Sequence, residues 1–249
     1  MIAEDGAAAM GGSSRPIVLF FFDVLGFSER VAELGLARIL KQYEDLVQLV
    51  QQRAGGRVVI TARPISPTTM VPVAGYVTLD AQYFSDTILL WASYDEIAFE
   101  VCVDLILDFF CECFRSGLPL RGAITFGEAH MDLATGIYLG QPIIEAARAE
   151  TSQLWCGCTF GPSLDDYPHL GPVDKYLPYE AHIKEGRSGL VRGLTLDWPR
   201  RMRDQFPTVD VDKLIADYSR PGFEPYWDNT AVFVKYSADN ERWWESLPP

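Results

Sequence analysis

Six consecutive apolar residues, Ile17-Val18-Leu19-Phe20-Phe21-Phe22, run straight into a single carboxylate, Asp23. A continuous apolar run of this length, without the alternation of a half-exposed strand, reads as a central strand buried on both faces of a sheet. The chain has 249 residues, 48% of them hydrophobic, enough to bury a sizeable core in one large domain or two small ones. Its formal net charge of −13 argues against a broad footprint for DNA or RNA. A single nucleotide is still compatible, because it needs only a local cluster of arginines, metal ions and backbone N–H groups. No apolar run reaches the length of a membrane span, and the first residues lack the positive-then-apolar order of a signal peptide. The expected location is the cytoplasm.

Periodicity organises the rest. Residues 1–14 are small and Gly/Ala/Ser-rich and are expected to be disordered. After Asp23, Ser28 is the expected N-cap of a helix reaching about Gln52, closed by Gly55-Gly56. A short β-like run, Arg57 to Thr61, leads into a Pro-rich connection. Tyr76 to Tyr83 and Thr87 to Ala92 read as two strands around a tight turn at Ser85-Asp86. A helix over 95–115, a strand from Leu120 to Phe126, a loop from Gly136 to Gly140 and an Ala-rich helix from Gln141 to Gln153 follow. Beyond these, Trp155 to Phe160 is an expected short strand, with a strand pair near Ala181–Lys184 and Gly189–Leu196. The order β-α-β-β-α-β is that of the split βαβ, or ferredoxin-like, arrangement, an α+β fold. The expected division is a domain over 15–197 and a C-terminal extension over 198–249 packed on it.

Five cysteines occur, Cys102, Cys111, Cys113, Cys156 and Cys158. Their two CxC pairs lack zinc-site spacing, and the first lies in a helix, where residues two apart point to opposite sides. Buried free thiols are the expected state.

Asp23 sits where the buried strand meets a loop that opens a helix, and Asp86 sits at a hairpin bend. Two carboxylates brought together repel unless a cation lies between them, and such oxygen donors suit Mg²⁺ or Mn²⁺. The loop from Leu25 to Ser28 would aim backbone N–H groups at a phosphate. Arg121 opens a strand and Arg148 lies on the Ala-rich helix; arginine's planar fork suits phosphate oxygens. Taken singly, each of these residues has a plainer reading as a turn residue or a surface ion pair.

Taken together, the segments resemble the class III nucleotidyl cyclase catalytic domain. Phe21-Phe22-Asp23-Val24-Leu25-Gly26-Phe27-Ser28 is similar to that family's first metal motif, and Ser85-Asp86-Thr87-Ile88-Leu89-Leu90 to its second, which usually reads Gly-Asp. Leu120-Arg121-Gly122-Ala123-Ile124-Thr125-Phe126-Gly127-Glu128 resembles the strand ending in a Gly-Glu or Gly-x-Val turn. Gly140 to Arg148 resembles the dimer-interface helix that carries a transition-state arginine. The resemblance covers residues 16–150. It implies two divalent metal ions (Mn²⁺ or Mg²⁺) held by Asp23, Asp86 and the carbonyl of Val24. It further implies contacts from Phe27 and Arg121 to the nucleoside triphosphate, catalysis by Arg148, and a homodimer whose two sites form between chains. His130, His169 and His182 fall outside the motifs.

The departures concern the base. The family's purine enzymes usually place an asparagine where this chain has Ile144, and read adenine at positions that match Gln82 and Ile137. With the metal apparatus kept and the purine readers absent, the chain is most similar to the pyrimidine cyclases of the bacterial Pycsar anti-phage system. Those proteins make cyclic UMP or cyclic CMP, which acts on a separate effector. Gln82 and Tyr83 are then the candidate base contacts, Tyr83 by stacking or hydrogen bonding. A purine cyclase and a non-catalytic nucleotide-binding regulatory module are the alternatives.

Overall fold

The computed structural model describes residues 14–246, apart from 55–56, 67–68, 95, 167–172, 188, 190 and 192. The expectations for residues 1–13, for the Gly55-Gly56 helix end and for His169 therefore lie outside the described residues.

The apolar run forms the centre of β1 (Arg15–Val24), in which Ile17 to Phe20 and Phe22 are fully buried. The chain continues through α1 (Phe27–Leu34), α2 (Leu36–Ala54), β2 (Arg57–Ser66), β3 (Thr69–Val77), β4 (Asp80–Phe84), β5 (Thr87–Ser93), α3 (Glu96–Arg115) and β6 (Leu120–Asp132). Then come β7 (Ile137–Gly140), α4 (Gln141–Ser152), β8 (Cys158–Phe160), β9 (Tyr176–Pro178), β10 (Leu194–Leu196), α5 (Trp198–Gln205), α6 (Val211–Tyr218) and α7 (Glu224–Asp239). The main sheet runs β4-β5-β1-β6-β8-β10-β9, with β7 paired to β6. Each of its first four strands is antiparallel to its neighbour, in the order expected for a split βαβ fold, and β6–β8 is a parallel pair. The architecture is α+β.

Period-2 alternation divides the two faces of β1. The even residues Val18, Phe20 and Phe22 join the larger core, where Phe22 meets the rings of Phe109 and Phe110 on α3, each at 6.1 Å. The odd residues Ile17 and Leu19 join a smaller cluster with Leu89, Trp91, Ala123, Ala146 and Ala149, over which α4 lies. The small side chains of α4 let it sit close to the strands, and Asp23 continues this odd face. Trp198 of α5 and Phe233 of α7 are fully buried in the larger core, with Trp198 4.6 Å from Phe114.

Several elements depart from the sequence reading. Gly35, at φ 78°, splits the first helical stretch into α1 and α2. Ser28 does not cap α1: the N-cap is Gly26, and the Ser28 hydroxyl donates to Glu29. The Pro-rich connection is a two-stranded ribbon, β2–β3, whose open edges tolerate a residue without an N–H. The strand expected over Tyr76–Tyr83 is broken between β3 and β4. The loop Gly136–Gly140 is largely β7, because β6 runs on to Asp132 and folds back as a hairpin. Asp132 fixes that turn by accepting the N–H groups of Ala134 at 2.9 Å and Thr135 at 3.3 Å. Finally, β10 pairs with β9, whereas Ile183 makes a single bridge to Gln153.

Candidate active site

The register places Asp23 opposite Thr87 on one side and Arg121 on the other. The Val24 N–H donates to the Asp86 carbonyl at 2.9 Å, which ties the β4–β5 bend to the end of β1. Asp23 and Asp86 are thus brought to one end of neighbouring strands, near enough for the Asp86 charge to act on Asp23. The Asp23 carboxyl is held above its ordinary value, chiefly by burial; Arg121 opposes this and Asp86 reinforces it.

Arg121 is the hub of this cluster. It is 9% exposed, and it donates to Asp23 Oδ2 at 3.1 Å, to the Gln153 carbonyl at 3.2 Å and to the Tyr226 hydroxyl at 3.3 Å. It also makes a close ion pair with Glu150, and its charge lies 5.6 Å from the centre of the Tyr226 ring. Gly122 beside it is obligatory: a Cβ there would lie 2.3 Å from the Phe21 carbonyl oxygen. Lys184 lies near enough to lower the pKa of both Asp23 and Glu150, and it donates to the Thr151 carbonyl at 2.7 Å.

Glu150, Tyr226 and Lys184 were not singled out from the sequence. Glu150 was legible as a carboxylate on an Ala-rich helix, in step with the buried Ala146. Tyr226 lies 105 residues from Arg121 in the chain, and no motif announces it.

Burial pushes the Glu150 carboxyl up to about 7, although Arg121 pulls it down. Folded Glu150 therefore holds its proton more tightly than the unfolded group, whose reference value is 4.5. Its contribution to stability is full below pH 4.5 and is lost as pH rises to about 7. The change is on the order of a few kcal/mol. Glu150→Gln is expected to flatten that part of the profile, as read by denaturant unfolding at pH 5 and pH 7.5; an unchanged slope would remove Glu150 as its source.

The bend itself is strained. Ser85 has φ 53°, the only positive φ outside glycine among the described residues, and the Tyr43 hydroxyl donates to its carbonyl at 2.9 Å. A side chain in the left-handed region costs about 1 kcal/mol. Ser85→Gly is therefore expected to stabilise the chain by about 0.5–1 kcal/mol, measurable as a rise in melting temperature.

The first loop is more closed than the sequence implied. Leu25 donates its N–H to the Pro119 carbonyl at 2.9 Å and is not open to a phosphate. The free amides of this turn are those at the start of α1, around Phe27. Gly26, at φ 68°, makes the reversal that exposes them. Phe27 itself packs edge-on against Tyr43, 6.0 Å between rings. The Val24 side chain is buried, so its backbone carbonyl is what it can offer.

Gln82 and Tyr83 face opposite sides of the sheet. Gln82 pairs with Leu89 on the Asp23 face, where its Oε1 accepts from the Tyr138 hydroxyl at 3.0 Å. Tyr83 lies on the other face, 6.1 Å from the Tyr43 ring, with a buried hydroxyl that has no hydrogen-bond partner among the described residues. Arg148 and Ile144 lie one turn apart on the outward face of α4, and Arg148 is exposed with no side-chain partner among the described residues. Arg148 does not meet the Asp23 cluster of its own chain. Ile137, Leu139 and Ile144 expose 47%, 64% and 48% of their surface.

The donors present suit a hard cation that keeps open positions. Asp23 and Asp86 stand at one end of neighbouring strands and are oxygen donors of the kind that suit Mg²⁺. No group of three or more His, Cys, Asp or Glu able to hold a metal occurs among the described residues. The five thiols are buried and free, and burial pushes each upward. No described helix is long and apolar enough to cross a membrane.

No protein-family model and no curated protein matches the chain. Among solved structures it is similar to a bacterial light-regulated adenylyl cyclase, at 12% identity and TM-score 0.44, over 73% of this chain and 54% of that one. It is also similar to the catalytic core of a rhodopsin-guanylyl cyclase with converted specificity in complex with ATPalphaS, at 13% identity and TM-score 0.47, over 73% and 93%. A further light-regulated bacterial adenylyl cyclase matches at 13% identity and TM-score 0.42, over 66% and 48%. The chain spans about half the length of the first of these. At such values the likeness adds nothing to the strand order described above, and the chemistry of the site rests on its own residues.

Proposed function

We propose that the chain is a nucleotidyl cyclase that converts UTP or CTP to the 3′,5′-cyclic mononucleotide and pyrophosphate. The observation that carries this reading is the convergence of Asp23, Asp86 and Arg121 at one edge of a split βαβ sheet, in the order of the cyclase motifs. The ribose 3′-oxygen forms the new bond to the α-phosphorus, the bond to the bridging oxygen breaks, and pyrophosphate leaves. Two divalent ions held by Asp23, Asp86 and the Val24 carbonyl supply, when bound, a lowered 3′-hydroxyl pKa and neutralisation of the departing phosphates.

The chain's residues position and compensate charge. Asp23 would hold a cation and Arg121 would meet the triphosphate, with Glu150 and Tyr226 positioning the guanidinium. The amides at Phe27 meet the phosphates at the positive end of α1. Arg148, exposed on α4, reaches the α-phosphate of a site on the partner subunit, and the exposed Ile137, Leu139 and Ile144 suit burial in that homodimer.

The pyrimidine part rests on Gln82, Ile137 and Ile144 standing where purine readers are expected. Gln82 offers an amide on the Asp23 face, suited to a pyrimidine edge, and it can present either donor or acceptor. Tyr83, turned to the other face, would need to leave the Tyr43 contact to touch a base. Release of the product as a messenger for a separate effector in anti-phage defence follows from the same resemblance.

Incubation of the purified chain with each ribonucleoside triphosphate and Mn²⁺, with products identified by mass spectrometry, tests the reading. Cyclic UMP or cyclic CMP is expected. Cyclic AMP or cyclic GMP would overturn the pyrimidine part, and binding without turnover would favour a regulatory module.

A further inference from the structure

Among the described residues, Arg30 is the most deeply buried arginine, and it lies outside the candidate active site. Only 4% of it is exposed, yet it forms no ion pair or side-chain hydrogen bond among the described residues. Its one close partner is the face of Tyr218, 4.9 Å from the ring centre. Burial pulls its pKa below the ordinary arginine value, and Glu33 opposes this only weakly. A guanidinium buried this far with no carboxylate paired to it is unusual, since arginine is seldom buried unless paired.

The guanidinium lines a cavity of about 280 Å³ between α1, α2, the end of α3 and α6. Arg38, Arg115 and Arg220 line the same cavity. Two carboxylates, Glu33 and Asp217, line it too, but Glu33 is paired with Arg220 and Asp217 with Lys213, and Arg115 is itself paired with Glu112. Arg38 is exposed and has no side-chain partner among the described residues. Arg220 has a buried Nε without a hydrogen-bond partner among the described residues. In a chain of net charge −13, four arginines around one cavity, two of them unpaired, form a local cationic site.

We propose that this cavity binds a phosphate-class anion, of inorganic phosphate or pyrophosphate size, at a site separate from the candidate active site. Arginine forks match phosphate oxygens two at a time, and an anion here would give Arg30 and Arg38 the counter-charge that neither has among the described residues. The cavity is slightly smaller than pockets built for drug-sized ligands, which start at about 300 Å³. Its lining shares no residue with Asp23, Asp86, Arg121 or Glu150. Because it joins α1 to α6, an occupant would link the turn after Asp23 to the C-terminal helices. The proposal does not depend on the cyclase reading.

The test is isothermal titration of the full chain with pyrophosphate, and separately with phosphate, in EDTA so that no divalent metal contributes. Saturable one-to-one binding is expected. Arg38→Gln, at an exposed position whose loss leaves the core intact, should weaken it about tenfold. Arg30→Lys keeps a buried charge but loses the fork, and should weaken it at least as much. Asp23→Asn should leave it unchanged. No saturable binding, binding indifferent to Arg38→Gln, or binding lost in Asp23→Asn would each overturn the proposal.

Discussion

Asp23→Asn is expected to lower cyclic-nucleotide formation by about 10³-fold or more while the chain stays folded. An amide cannot replace a carboxylate as a charged ligand, and the lost transition-state stabilisation is several kcal/mol, each ~1.36 of which is a factor of ten. The expected change in stability is small because two effects oppose each other. Asn removes a carboxylate that burial and Asp86 both disfavour, which is a gain. It also removes one of the two anions of Arg121, which is a loss, but Glu150 remains in contact with that guanidinium. The net change is expected within about 1 kcal/mol by urea denaturation, against the 3–5 kcal/mol typical of stranding a buried charge outright. Turnover that persists would take Asp23 out of the metal set. A chain that unfolds would instead make Asp23 a structural partner of Arg121.

That balance could not be read from the sequence. The apolar run gave the central strand, and the hairpin around Asp86 followed from alternation on both sides of Ser85. From these the split βαβ order was legible. The β2–β3 ribbon was obscured by its prolines, which ordinarily argue against strands and are tolerated only because a two-stranded ribbon has open edges. β7 was hidden by Gly136 and Gly140, which read as loop residues although a strand lies between them. Arg121 was legible as a phosphate-seeking arginine, but its present engagement with Glu150 and Tyr226 depends on contacts across α4 and α7. Tyr83 shows the same limit from the other side. Adjacent residues of a strand point to opposite faces, so Gln82 and Tyr83 cannot both look toward Asp23 while that strand is regular.

Arg148→Ala is expected to lower kcat by about 10²–10³-fold with a smaller change in KM, because its proposed role is to meet charge that develops on the α-phosphate. Its exposure and its distance from the Asp23 cluster make a mixing experiment decisive. If each site takes Asp23 from one chain and Arg148 from the other, a dimer of one Asp23→Asn chain and one Arg148→Ala chain has one site with both defects and one with neither. Random reassociation of equal amounts makes half of the dimers mixed, so about a quarter of wild-type activity should return from two nearly inactive proteins. If each site is completed within a single chain, every site in the mixture carries one defect and no activity returns. Light scattering on the same samples separates the remaining case. A protein that stays monomeric cannot complement, and Ile137, Leu139 and Ile144 would then be exposed apolar residues with no partner to cover them. Recovery near a quarter would place the second half of the site on the outward face of α4, where Arg148 stands clear of every group in its own chain that it is proposed to serve.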